Sequence, residues 1–203
     1  LSLLFFFVSG ETFSASAWTP TRNVEIIVPA SPGGGIDVTA RSMQRITQDH
    51  RLLPATTTVV NKPGGGGGLA LSYLSQHPND AYRFLVIAPN LLTNSILRKG
   101  TPKHTDFTPL ALLFDQYVVV SVSATSPIRT AAELVSRLKT EPSALSIAIA
   151  TSLGNFNHMA VALALRAAGG DPKALRVVVF NSSADSITAL LGGHVDVVAS
   201  SAL

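Results

Sequence analysis

One stretch, residues 28–37, constrains the fold of this chain more than any other. Its sequence is Val-Pro-Ala-Ser-Pro-Gly-Gly-Gly-Ile-Asp. The apolar run just before it, residues 24–27, predicts a buried strand. After it, apolar residues recur at helical spacing from Ile36 to about His50. The stretch therefore predicts a strand, a glycine loop and a helix in that order.

The glycine loop has two interpretations. Its glycines leave backbone amides uncovered, and the first amides of a helix lack partners inside it, so this helix end favours an anion. The loop lacks the lysine of a phosphate loop, and Val38 breaks the dinucleotide pattern Gly-x-Gly-x-x-Gly. We interpret it as a cradle for a small anion, best a carboxylate. The alternative is a tight turn that needs glycine only for its backbone.

Composition indicates a packed globular protein. Of the 203 residues, 46% are hydrophobic and 13% are charged, which argues against disorder. The net charge is only +3 and no basic run with interleaved aromatics occurs, so no nucleic-acid partner is expected. The lack of cysteine excludes disulfides and thiolate metal sites. The five histidines never fall at metal-binding spacing, so we expect neither a metal nor a cofactor.

Residues 1–17 are typical of the end of a secretory signal peptide. Residues 1–8 are apolar but too short to span a bilayer, and Ala15-Ser16-Ala17 fits the small-x-small rule for cleavage. We expect the sequence to begin inside the signal, with cleavage after Ala17 and export to the periplasm. Absence of cysteine suits that destination for a fold with a sufficient core. The alternative is a buried N-terminal strand.

The remaining chain alternates strand and helix patterns, which predicts an α/β fold with parallel strands. The predicted strands are 56–60, 84–88, 117–123, 145–150, 176–180 and 194–198. The predicted helices are 69–76, 131–139, about 155–168, and one that follows the loop 181–185 and ends at residues 192–193. Thr130 and Glu133 form a candidate capping box. The polar connector 91–109 marks a boundary between a first domain, 18–106, and a second, 107–203.

Three further loops have candidate binding chemistry. Five consecutive glycines, residues 64–68, lie between a strand and a helix, which favours a second close-approach loop over a flexible linker. Residues 151–157 and 181–185 are rich in Ser, Thr and Asn just before helices. Such residues cap helices. Facing the glycine loops across a cleft, they would also receive a polar, carboxylate-bearing small molecule.

Several motifs resemble a known family, the substrate-binding receptors of tripartite tricarboxylate transporters (Bug, or TctC-like, proteins). Residues 28–37 with Ala40-Arg41 resemble its opening signature, and residues 61–64, Asn-Lys-Pro-Gly, resemble its Asn-Arg-Pro-Gly segment. Residues 106–109, Asp-Phe-Thr-Pro, resemble its entry to the second domain. Ser152, Gly154, His158 and Ala160 resemble a Ser-x-Gly…His-Leu-Ala helix start, and residues 190–196 resemble Leu-Leu-Gly-Gly-Gln-Val-Asp.

The resemblance implies a type II periplasmic binding protein fold, in which two α/β domains close over a small organic acid. The acid would be a di- or tricarboxylate, an aromatic acid or an amino acid, delivered by a monomeric receptor to a membrane permease. In the family, backbone amides, hydroxyls and ordered waters hold the carboxylate. The matching ligand-binding positions are Ala30, Ser31, Gly34, Gly35, Asp37, Ser152, Gly154, Asn155, Asn157, His158, Ser182, Ser183 and Asp185.

The chain departs from the family pattern at three places. Residues 180–182, Phe-Asn-Ser, replace a Tyr-Lys-Gly-type run, and Ala70 stands where glycine is common. The sequence stops soon after the strand expected to end near Val198, whereas family members continue through a crossover that returns to the first domain. We therefore expect a fragment whose first domain is incomplete and exposes apolar surface.

A periplasmic hydrolase or transferase that uses the same cleft is the alternative function. Ser152, His158 and Asp185 could in principle form a triad, but no Gly-x-Ser-x-Gly elbow occurs. We interpret His158 as a helix-start residue that lines the cleft or satisfies a backbone carbonyl, and Asp37 as a loop-shaping or ligand-accepting carboxylate. The favoured interpretation is a receptor without catalytic residues. Sequence alone does not separate a transport receptor from one that feeds a sensor, nor does it name the acid.

Overall fold

The computed structural model describes residues 18–97, 100 and 102–202, so the predicted signal peptide lies outside the described residues. The strands are β1 (Val24–Val28), β2 (Thr57–Asn61), β3 (Arg83–Leu85), β4 (Val118–Val122), β5 (Ser146–Ala150), β6 (Arg176–Phe180) and β7 (Val197–Ser201). The helices are α1 (Gly35–Asp49), α2 (Gly68–Ser75), α3 (Asn90–Leu97), α4 (Ala131–Thr140), α5 (Phe156–Ala167) and α6 (Ser183–Leu191). The predicted α/β alternation is confirmed.

The first sheet has the strand order β2-β1-β3, and both pairings are parallel. Parallel neighbours bring the loops that follow each strand to the same edge. The backbone bears this out, since Lys62 N donates to Val28 O at 2.7 Å and links the loop after β2 to the end of β1. The glycine loops after β1 and β2 therefore lie side by side, as predicted.

The second sheet has the strand order β4-β7-β5-β6, with β4 antiparallel to β7 and the other pairs parallel. Its central strand β5 is buried on both faces, as the short apolar run Ser-Ile-Ala-Ile-Ala predicts. Ile147 and Ile149 pack toward α4 and α5, while Ala148 packs in a separate cluster with residues of α6. The second sheet is thus covered by helices on both faces.

Local sequence signals set the ends of several helices. Thr130 Oγ1 accepts from Glu133 N at 3.2 Å, and Glu133 Oε2 accepts from Thr130 N at 3.2 Å, so the predicted capping box is confirmed.

Among the described residues, no helix is both long enough and apolar enough to cross a membrane.

Two parts of the structure differ from the sequence prediction. The third strand is shorter than predicted, Arg83–Leu85 instead of 84–88, and the connector predicted from residue 91 begins with helix α3. Four of its eight residues are Leu or Ile, an apolar signal that the prediction of a polar connector overlooked. Its Asn94 is buried and donates from Nδ2 to Gly66 O at 2.5 Å, which ties α3 to the polyglycine loop.

The last strand also lies later than predicted, because Asp196 is used as a side-chain anchor instead of a strand residue. Its Oδ2 accepts from Ser146 N at 2.8 Å and from Ser146 Oγ at 2.7 Å. These bonds hold the turn before β7 against the start of β5. Strand β7 consequently runs from Val197 to Ser201 and not from 194 to 198.

Candidate functional site

A small cavity lies where the first glycine loop meets the two polar helix starts of the second sheet. Its volume is about 30 Å³, room for one or two water molecules or the oxygens of one carboxylate. The lining residues are Ala30, Gly34, Gly35, Ile36, Gln116, Ala150, Thr151, Asn155, Phe156, Asn157, Ser182, Ser183 and Ser201. None of these lining residues has a charged side chain.

Three helices begin at this cavity. Gly34 is the N-cap of α1, Asn155 is the N-cap of α5, and Ser182 is the N-cap of α6. The first amides of each helix have no acceptor within it, and each helix start carries about half a positive charge. An uncharged cavity at three such ends is suited to an anion without any arginine or lysine.

Gly34 allows the loop of the first sheet to approach the second. A Cβ on Gly34 would lie 3.3 Å from Ser182 Cβ and 3.5 Å from Ser183 N. The two loops are further joined by Ser31 N, which donates to Asn181 O at 3.4 Å. The residue at position 34 has no side chain because helix α6 already fills that space.

The polyglycine loop makes a second close approach, as predicted. Gly66 has a φ of +66° and is buried, and a Cβ there would lie 2.8 Å from Ser152 Cβ. Glycine is favoured on both counts, by backbone conformation and by space. Ser152 therefore packs against the polyglycine loop and does not line the cavity.

Asp37 shapes the first glycine loop. Its buried carboxylate accepts from Gly33 N at 2.9 Å, from Arg41 Nε at 2.8 Å and from Asn61 Nδ2 at 2.9 Å. Burial raises the pKa of the Asp37 carboxyl, but the hydrogen bonds from Arg41, Gly33 and Asn61 outweigh burial and hold it below its usual range. Because the carboxylate is committed to these donors, the structure places Asp37 behind the cavity wall.

The two polar N-caps of the second sheet are also committed to their helices. Asn155 Oδ1 accepts from His158 N at 2.9 Å, and its Nδ2 donates to Ala150 O. Ser182 Oγ accepts from Asp185 N at 3.1 Å and donates to Asp185 Oδ2 at 2.8 Å. These side chains fix the helix starts and leave ligand contact to neighbouring amides.

His158 stabilises the turn before α5 by accepting, and not by satisfying a carbonyl as the sequence suggested. Its Nδ1 accepts a hydrogen bond from Gly154 N at 3.0 Å. Burial lowers the pKa of the imidazole, which favours the neutral ring that this bond requires. Among the described residues Ser152 Oγ has no hydrogen-bond partner, and Asp185 is bonded to Ser182, so the three side chains of the conceivable triad form no chain of hydrogen bonds.

The structure brings seven of the thirteen predicted positions to the cavity wall: Ala30, Gly34, Gly35, Asn155, Asn157, Ser182 and Ser183. The other six lie beside it: Ser31, Asp37, Ser152, Gly154, His158 and Asp185. Over the described ranges 18–97 and 102–202, no group of three His, Asp or Glu side chains could hold a metal.

Sequence reasoning missed six lining residues: Ile36, Gln116, Ala150, Thr151, Phe156 and Ser201. Gln116 lies in the irregular segment before β4, and Ser201 is the last residue of β7, beyond the predicted end of that strand. Thr151 has a φ of +69°, which is strained for a β-branched residue. Thr151 lies within the polar loop 151–157, so the Ser, Thr and Asn content of that loop was the sequence signal that could have identified it.

Replacement of Asp37 by Asn tests the loop anchor. Asp37→Asn removes the charge and turns an amide group toward donors, so we expect a loss of about 2 kcal/mol in the free energy of unfolding near neutral pH. The wild-type advantage exists above the unfolded-state pKa of about 3.9 and disappears as the pH falls through the lower folded-state pKa. Urea unfolding at several pH values measures both effects. The exposed Asp49→Asn is the control, and an equal loss there would contradict the anchor role.

Protonation of His158 should destabilise the fold at mildly acidic pH. Since its folded-state pKa lies below the unfolded value of about 6.5, the unfolded chain binds more protons in between. The free energy of unfolding should therefore decline as the pH falls from about 6.5 toward the folded-state pKa. His158→Asn keeps an acceptor that does not titrate and should flatten this slope, whereas the exposed His50→Gln should not. Parallel slopes in wild type and His158→Asn would overturn this assignment.

Comparison with known proteins identifies the family of this chain. The family model of the tripartite tricarboxylate transporter family receptor matches residues 27–203. A Pseudomonas sp. (strain P51) protein from the tcbD-tcbE intergenic region is 28% identical over 88% of this chain and 52% of its own length. Protein BugT of Bordetella pertussis is 26% identical over 93% of this chain and 55% of its own. The chain spans about half the length of these curated relatives.

Solved structures share the fold. The periplasmic binding protein BugD is 26% identical, with a TM-score of 0.77 over 90% of this chain and 60% of BugD. Two Rhodopseudomonas palustris proteins, one with adipate (24% identity, TM-score 0.72) and one with bound malate (22%, 0.73), each cover 90% of this chain and 60% and 61% of their own. At these identities the latter two support the type II fold alone.

BugD is a periplasmic binding protein, the matched family is one of receptors and not of enzymes, and the match at residues 27–203 includes all three helix starts of the cavity. The chain therefore belongs to the tripartite tricarboxylate transporter receptor family.

Proposed function

We propose that this protein is a periplasmic solute receptor that binds a small organic carboxylate at the cavity and delivers it to a membrane permease. One observation carries the proposal: the N-termini of α1, α5 and α6 meet at one uncharged cavity. Each helix start offers unpaired amide donors and a positive dipole end. A carboxylate accepts several such bonds at once.

The chemistry of the wall favours capture that is strong but reversible. Backbone amides and uncharged side chains bind an anion without the paired charges of a guanidinium clamp. The nearest arginine, Arg41, is engaged with Asp37 and Asn61. Release of the acid therefore requires only that the two sides of the cavity separate, which is what a delivery protein needs.

Membership in the family supports the remaining features. Neighbouring structures hold adipate and malate, so a small dicarboxylate is the first ligand class to test. The predicted signal peptide, monomeric state and permease partner complete the receptor model, with the two domains bounded at 106/107. A hydrolase or transferase has no support from the bonding of Ser152, His158 and Asp185.

A thermal-shift screen tests the proposed function. The protein, produced from its complete gene without the signal, is heated with mono-, di- and tricarboxylates. A ligand that binds only the folded state raises the midpoint with concentration, by about 2.7 kcal/mol of stability at a hundredfold excess over Kd. We expect at least one acid to act in this way and to be recovered unchanged. No response to any acid, or consumption of the acid, would contradict the receptor.

Substitution of Gly34 tests the position of the site. Its φ of −81° and ψ of 165° are allowed for any residue, so a side chain there adds no backbone strain. It would, however, press on Ser182 across the cavity. We expect Gly34→Ala to weaken acid binding about tenfold and Gly34→Val about a hundredfold, as misplacement of closely packed binding groups does. Calorimetric Kd values near wild type in both variants would place the site elsewhere.

A further inference from the structure

Asn157 carries a buried acceptor that the protein leaves unused. The residue is 3% exposed, lies in the first turn of α5 and lines the cavity. Its Oδ1 is buried and has no hydrogen-bond partner among the described residues. The neighbouring carboxamide of Asn155 is fully paired by contrast. An unpaired buried acceptor costs stability, so something at the cavity should donate to it.

A carboxylate cannot be that donor. It offers only lone pairs, which suit the helix amides but not a carbonyl oxygen. The ligand must then carry a hydrogen-bond donor close to its carboxylate. Asn157 lies in the first turn of α5, whose amides would hold the carboxylate, so we place the donor on the carbon next to that carboxylate. The two common groups at that position are a hydroxyl and an ammonium.

The positive potential of the cavity favours a neutral hydroxyl over an ammonium. Three helix N-termini place positive potential on the cavity, and no lining residue among those described is a carboxylate. Asp37, the one buried carboxylate among the described residues, is neutralised by Arg41, and the exposed Asp185 accepts a hydrogen bond from Ser182 Oγ. An ammonium would be buried at positive potential without a counterion, which is costly. A neutral hydroxyl donates to Oδ1 without that cost.

We infer that the receptor selects 2-hydroxycarboxylates and that Asn157 is the residue that reads the hydroxyl. This inference rests on the proposed function and narrows its ligand class. The carboxamide is suited to the task because it places a donor beside an acceptor. Oδ1 accepts from the hydroxyl, while Nδ2 is available to the adjacent carboxylate oxygen.

Matched acid pairs test the inference by calorimetry. The pairs are malate and succinate, citrate and tricarballylate, and lactate and propionate, with aspartate as the ammonium counterpart of malate. We expect the hydroxy acid of the pair that fits the site to bind about tenfold tighter than its deoxy partner, because the deoxy acid leaves the acceptor unpaired. Aspartate should bind more weakly than malate.

Two leucine variants assign the preference to Asn157. Asn157→Leu should bring the hydroxy and deoxy acids within about twofold of each other, since the acceptor is gone. Gln76→Leu removes an exposed carboxamide outside the cavity wall and should leave the ratio unchanged. Unliganded melting midpoints control for folding. If Asn157→Leu does not fold, the wild-type ratios alone decide.

The outcomes separate this inference from the proposed function. If no acid of any pair binds, the receptor itself is contradicted. If acids bind but hydroxy and deoxy partners bind equally, or aspartate binds tighter than malate, the receptor stands and the inference is wrong. A hydroxy preference that survives in Asn157→Leu would likewise overturn the role of Asn157.

Discussion

The cavity exists because three helix N-termini can meet with almost nothing between them. Gly34 supplies no Cβ, so α1 begins directly against the start of α6, and the amides of both helices face one space. Helix α5 adds a third start after β5, which runs parallel to β6, the strand before α6. Like positive ends repel in the absence of an anion. A negative group in the cavity would therefore reduce the electrostatic repulsion between the three helix starts.

The side chains around the cavity serve mainly to hold these backbone donors in place. Asp37 pins the first loop through Gly33, Arg41 and Asn61, and Asn155 and Ser182 cap their own helices. Under the proposed function, the amides would recognise the carboxylate, and the few uncommitted polar side chains would select among acids.

Much of this architecture could be predicted from sequence because its signals are local. The capping box at Thr130, the glycine loop before α1 and the alternation of apolar runs are each read within a few residues. The partners of Asp196 and Asn61 could not be predicted, since these bonds join residues distant in the chain. Gln116 reaches the cavity from an irregular segment without any periodic pattern. Helix α3 was missed because the polar, proline-containing residues that follow it dominated the prediction for this segment, although residues 91, 92, 96 and 97 are apolar.

If backbone amides at three helix starts hold the carboxylate, an amide chemical-shift titration shows it most directly. Uniformly nitrogen-15-labelled protein would be titrated with the tightest-binding acid from the thermal screen. We expect the largest saturable chemical-shift changes at the amides of Gly35, Phe156 and Ser183, with one common Kd. Shifts confined to other surfaces, with these three amides unmoved at saturation, would contradict it.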